Sequence, residues 1–133
     1  MTNKLKSDVL RSLRLPKMDL ELRADGIVHC KYLKDAVVFR HDVEAGVQKR
    51  IEMFGDEKRL FLVDITQLRG VSLDARIYFA SERGAYNIKA VAFYTKLDAY
   101  HEIATNYIDD HEPAYPAKVF KDEEEAKNWL LNS

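Results

Sequence analysis

Hydrophobic and polar positions along this chain recur at two spacings, and the switches between them divide it into elements. Met18 to Arg23 and Ile27 to Leu33 are half-apolar runs on either side of Ala24-Asp25-Gly26, and an Asp-Gly pair in that setting predicts a β-hairpin. From Asp42 the spacing becomes helical. Val43, Val47, Ile51 and Phe54 share one face and Glu44, Gln48, Arg50 and Glu52 the other, with Asp42 as cap and Gly55 as stop. Leu60, Phe61, Leu62, Val63 and Ile65 then form a near-continuous apolar run around Asp64, the mark of a strand covered on both faces. Ser72 opens a second helix with Leu73, Ile77 and Ala80 on one face, ended by Gly84. Ile88 to Tyr94 is again β-branched and aromatic, a second buried strand. Thr95 and Asp98 make a capping signature ahead of Leu97, Tyr100, Ala104 and Tyr107, the face of a third helix. Pro113 and Pro116 enforce an extended approach to a short strand at Ala117 to Phe120, suited to a sheet edge. Asp122 and Glu125 form a capping box for a last helix, whose Ala126, Trp129 and Leu130 face the sheet with Trp129 as its clamp.

The resulting order, ββαβαβαβα, predicts an α/β fold with a mixed sheet of about five strands and about four helices, joined in its parallel part by right-handed crossovers. Residues 1–16 stand apart as an N-terminal extension to a domain over 17–133. In that extension Leu5, Val9, Leu10 and Leu13, surrounded by Lys4, Lys6, Arg11 and Arg14, fit a short docking helix or a frayed tail.

Composition narrows the function classes. A chain of 133 residues with 47% hydrophobic content suits one domain that folds without metals or disulfides. Its formal charge of -1 recruits neither nucleic acid nor an anionic membrane through overall balance. Cys30 is the only cysteine, so no internal disulfide forms, and the expected compartment is reducing, the cytoplasm. No apolar run is long enough to span a bilayer and none resembles a signal peptide core.

Candidate chemistry gathers after the central strand, where open parallel sheets place their sites: Asp64, Thr66, Ser72, Asp74 and Arg76. Ser72 is first a helix cap. It is also a candidate phosphate acceptor, because a helix start offers free N–H groups and the positive end of a dipole. Asp64, in an apolar strand, needs Arg76, a backbone N–H or water as partner. Asp64 and Asp74 lack a nucleophile or histidine at a defined spacing, so no catalytic residues are assigned and an enzyme is not expected. His29, His41, His101 and His111 are scattered without zinc spacing, and the five glycines form no phosphate loop, so neither metal nor cofactor is expected. Tyr78, Phe79, Phe93, Tyr94, Tyr100, Tyr107 and Tyr115 first fill a core; the alternative is that they line a pocket for an apolar ligand. Aromatic surface and an edge strand also leave a homodimer open.

Three segments, VDITQLRGVSLDARIYFAS (Val63 to Ser81), NYIDDHEPAYPAKVF (Asn106 to Phe120) and DEEEAKNWL (Asp122 to Leu130), together with the element order, resemble the SpoIIAA-like superfamily. That superfamily contains the STAS domains and is similar in topology to the lipid-binding Sec14 domain; more narrowly, the chain resembles small stand-alone bacterial STAS/SEC14-type proteins. The resemblance covers Met18 to Leu131. It implies a SpoIIAA-like sheet and a regulatory or protein-binding module rather than an enzyme, with a Sec14-like carrier of a small apolar ligand or lipid as the alternative. Asp64-Ile65-Thr66 resembles the Asp-x-Ser strand end of the anti-sigma-factor antagonists. Their Asp-Ser-Ser-Gly turn is replaced by Gly70-Val71-Ser72-Leu73, which leaves only Ser72 near the phosphorylated position.

Overall fold

A computed structural model describes residues 8–133. The hairpin forms as its Asp-Gly signature predicts: Met18–Arg23 (β2) pairs antiparallel with Ile27–Tyr32 (β3), Gly26 takes φ +87°, and the Asp25 carboxylate accepts from the Ile27 N–H at 2.9 Å. Alternation then decides the faces. Leu20 and Leu22 lie opposite Cys30 and Val28, and all four are buried in one core. The apolar run forms the strand Arg59–Asp64 (β5), which pairs in parallel with β3 on one side and with Ile88–Tyr94 (β7) on the other. Ala117–Phe120 (β8) closes that edge of the sheet.

Three further strands were not predicted. Val9–Arg14 (β1) pairs antiparallel with β2, so these residues are extended rather than helical and belong to a six-stranded sheet of order β1-β2-β3-β5-β7-β8. The physical reason is the open edge of β2, whose ladder takes up the backbone hydrogen bonds of β1 even though Val9 and Leu10 stay exposed. Leu5, Lys4 and Lys6 lie outside the described residues. Ala36–Val38 (β4) and Leu68–Val71 (β6) make a separate two-stranded parallel sheet, so the stretch between Asp64 and Ser72 is not a simple polar turn.

Both faces of the large sheet are covered. Arg40–Phe54 (α1), Leu73–Ala80 (α2) and Asp98–His111 (α3) lie on the face that carries Phe61, Val63, Val91 and Phe93. Glu123–Leu131 (α4) packs on the other, against Leu62, Ala90 and Ala92, where two alanines let it approach closely. The α4 anchor is Leu130, fully buried, while Trp129 is only half-buried against Phe120; the clamp role assigned to Trp129 therefore belongs to Leu130.

The helix caps are partly as predicted. Ser72 caps α2 by accepting from the Ala75 N–H at 3.1 Å, and Asp122 caps α4 by accepting from the Glu124 N–H. Helix α1 starts before Asp42, which sits in the first turn and accepts from the Phe39 N–H at 2.8 Å. Helix α2 stops at Ala80, ahead of Gly84, and it turns Ala75 and Phe79 inward instead of Leu73 and Ile77, which are 55% and 52% exposed. In α1 the predicted polar position Arg50 is buried, only 9% exposed.

Candidate functional site

The five site residues read from the sequence separate into three places. Asp64 ends β5 and accepts from the Thr66 N–H at 2.9 Å, and the Thr66 hydroxyl lies 3.3 Å from that of the fully buried Thr95. The backbone N–H, not Arg76, is thus the donor that satisfies Asp64. Ser72 and Asp74 open onto a shallow depression with Phe39, Arg40, His41 and Glu44. A phosphate on Ser72 would meet the carboxylates of Asp74 and Glu44 there, and Arg40 already faces Glu44 at 3.6 Å. Arg76 points elsewhere, into the wall of a large interior cavity.

That cavity, of about 620 Å³, lies between the sheet and the three helices α1, α2 and α3. Period-two alternation puts Leu20, Cys30, Phe61, Val63 and Phe93 on its floor. Its roof is formed by the three helices. Beside large side chains such as Phe79, Tyr100 and Tyr107, each helix also contributes a small residue to it, Gly46 from α1, Ala75 from α2 and Ala104 from α3. A Cβ added at Gly46 would find no atom within 4 Å, so the space is open at that position. Ile103 of α3, 61% exposed, is among the lining residues that reach the surface, as are Pro16, Ala45 and Arg69.

Few polar groups enter this space. Lys17 sits at the rim, 2.7 Å from Asp42 and 2.7 Å from the Val37 carbonyl. Burial works against ionisation of Asp42, but the Lys17 ammonium and the Phe39 N–H outweigh it and hold the carboxyl below its ordinary range. Burial pushes the Cys30 thiol up to about 12, so it stays a neutral, unreactive thiol. Tyr107, hydrogen-bonded to Tyr115 at 3.0 Å, is likewise pushed up to about 12 by burial. Arg50 is the most deeply buried of the charged side chains that line the space, which also include Lys49, Arg69 and Arg76. Its Nη2 donates to the carbonyls of Gly84 at 2.7 Å and Tyr86 at 3.0 Å, its guanidinium lies 5.7 Å from the centre of the Phe61 ring, and its Nε is buried without an acceptor.

Sequence reasoning missed Arg50 because a helical wheel placed it among the solvent-facing residues of α1. No local signal marks it, since the two carbonyls that hold it come from the segment before β7. Of the aromatic set, Phe79, Phe93, Tyr100 and Tyr107 pack in the core and also line the cavity, Tyr115 belongs to the core alone, and Tyr78 and Tyr94 do not line the cavity. His29 lies on the α4 side of the sheet, where burial lowers it to about 3, and no group of three or more His, Cys, Asp or Glu side chains comes together for a metal among the described residues. No helix of the described residues is long and apolar enough to cross a membrane.

A family model described as a domain of unknown function, DUF7793, matches residues 20–133. Among solved structures, the chain is similar to the crystal structure of an uncharacterized protein from the DUF3478 family with a SpoIIAA-like fold, from Shewanella loihica PV-4. The two share 18% identity over 98% of each chain, with a TM-score of 0.54. That likeness establishes the fold as α/β and SpoIIAA-like. No curated protein matches the chain.

Proposed function

We propose that this chain, which belongs to the DUF7793 family and has a SpoIIAA-like fold, is a non-catalytic carrier or sensor that takes a small apolar ligand into the cavity beneath α1, α2 and α3. The observation that carries this reading is the cavity itself. Native interiors are packed as densely as organic crystals and leave few voids larger than a water molecule, whereas ligand pockets occupy roughly 300–1,000 Å³. A volume of about 620 Å³ walled chiefly by aliphatic and aromatic side chains belongs to the second class. Support for a non-catalytic role comes from the cavity's titratable groups. The Cys30 thiol and the Tyr107 phenol are held neutral around pH 7, and Asp42, which lines the same space, is tied to Lys17 in an ion pair at 2.7 Å.

Filling the space tests the reading. Ala104→Phe should abolish binding of a neutral apolar dye such as Nile red, weakening it at least about tenfold, and because the ring enters empty volume the fold should lose less than about 1 kcal/mol. Ala92→Phe on the α4 side, where Ala92 is fully buried in a closed core, should cost about 1–3 kcal/mol or more. Dye fluorescence and urea midpoints check both. Dye binding that survives Ala104→Phe, or equal damage from the two substitutions, would remove the cavity reading.

A second reading, a protein-binding or self-associating module, is favoured by a specific surface. Leu73 and Ile77 are one turn apart on α2, both more than half exposed, with exposed Phe39 nearby in the depression that holds Ser72. A large apolar pair facing water is the composition of an interface centre. If two copies meet there, light scattering should show a dimer that Ile77→Asp converts to monomer; a native protein that is monomeric at high concentration would speak against self-association.

A further inference from the structure

Arg50 raises a question that an apolar ligand does not answer. Its guanidinium keeps its charge at any accessible pH, it is nine-tenths buried, and no carboxylate among the described residues lies within ion-pair distance of it. Two backbone carbonyls occupy Nη2, and Nε is buried without an acceptor among the described residues. A buried charge without a counter-ion is costly, and the Gly84 and Tyr86 carbonyls supply only partial negative charge. The side chain lines the cavity; the carbonyls that hold it belong to the segment entering β7, and the ring beneath it belongs to Phe61. The cavity is walled chiefly by apolar side chains, and Arg50 is the most deeply buried of the cations that line it, which include Lys49, Arg69 and Arg76.

We infer that the cavity takes an amphiphile with a single carboxylate, a fatty acid or a close chemical relative, whose head meets Arg50 while its chain lies along the apolar walls. The inference rests on the cavity being a ligand site and adds the chemistry of the ligand. One guanidinium balances one carboxylate and offers it a charge-assisted hydrogen bond. Arg76 also lines the space, with its Nε buried and without an acceptor among the described residues, and the head is assigned to Arg50 because that guanidinium is the more deeply buried of the two. Lys17 is already engaged by Asp42 at the rim.

The test compares dodecanoate with dodecan-1-ol, both below their micellar or solubility limits, as competitors of Nile red on the full chain. The acid should bind about tenfold tighter or better, the worth of one charge-assisted hydrogen bond in a buried site. With Arg50→Met that preference should fall to about twofold or less while the alcohol binds as before. Because Arg50 also holds two carbonyls, Arg50→Met is at risk of misfolding. The native protein therefore provides a second readout: dodecanoate, and not dodecanol, should shift the Arg50 Nε–H resonance, assigned by its disappearance in Arg50→Lys. If acid and alcohol displace the dye equally, the carboxylate inference fails and the cavity reading stands. If neither displaces it and the dye itself does not bind, both fail. An acid preference that survives loss of Arg50, or an unshifted Nε–H signal on saturation, places the head elsewhere and overturns the assignment to Arg50.

Discussion

Gly84→Ala should cost about 3–5 kcal/mol, enough to consume much of the stability of a domain this size. A Cβ at Gly84 would lie 2.1 Å from the Tyr78 carbonyl oxygen and 2.8 Å from both Cα and O of Phe79. All three are backbone atoms at the end of α2, so no side-chain rotation relieves the overlap, and the turn or the helix end must move. That turn is tied at several points: the Gly84 N–H donates to the Ser81 hydroxyl at 3.2 Å, and the Ala85 N–H to the Ser81 carbonyl at 2.9 Å. The Gly84 carbonyl also receives Arg50, so displacing it disturbs the buried guanidinium as well. Gly46→Ala is the contrast. Its Cβ meets open space in a helix interior, and the substitution should stabilise by about 0.5–1 kcal/mol through helix propensity. Urea denaturation of the two variants checks both signs; a Gly84→Ala protein with the native midpoint would show that the α2 end yields freely.

Leu130→Ala should cost about 2–5 kcal/mol and exceed the loss from Trp129→Ala, although tryptophan is the larger side chain. Leu130 is fully buried among Leu62, Ala90, Ala92 and Phe120, and the small alanines around it have no reach to fill the hole it would leave. Trp129 lies partly in water, its ring 5.7 Å from that of Phe120, so its truncation removes edge packing without opening a closed cavity. The ranking is read from thermal or urea unfolding of the two single variants. A larger loss at Trp129 would mean that α4 is held by its outer face.

Much of the architecture was legible because local periodicity reports the contrast between a segment's faces. Leu60 to Ile65 carries no gap in its apolar run because β5 has helices on both sides, and Ile88 to Tyr94 reads the same way for the same reason. Asp25-Gly26, Ser72 and Asp122 were legible because turns and caps are satisfied within a few residues. The short strands were not. Three residues at Ala36–Val38 and four at Leu68–Val71 are below the length at which alternation is a signal, and each exists only because the other supplies its hydrogen bonds.

The candidate site divides along the same line. The position of Asp64 at the end of the central strand follows from the sequence, and so does the presence of an aromatic set close to α2 and α3. The hollow does not, because its lining comes from the sheet and from three helices distant in sequence, and a small residue such as Gly46 carries no pattern that says what it faces. Nor does the buried charge: in α1 alone, Arg50 belongs with Glu44 and Glu52, and only the carbonyls of Gly84 and Tyr86, more than thirty residues away, draw it inward. By itself the chain determined the hairpin strands, β5, β7, β8 and the four helices, since those choices are settled between near neighbours, whereas β1, β4 and β6 depend on a pairing partner. Tertiary structure alone decided which helix faces turn inward, where space remains and which charge is enclosed in it, since each of these depends on atoms brought together across the sheet.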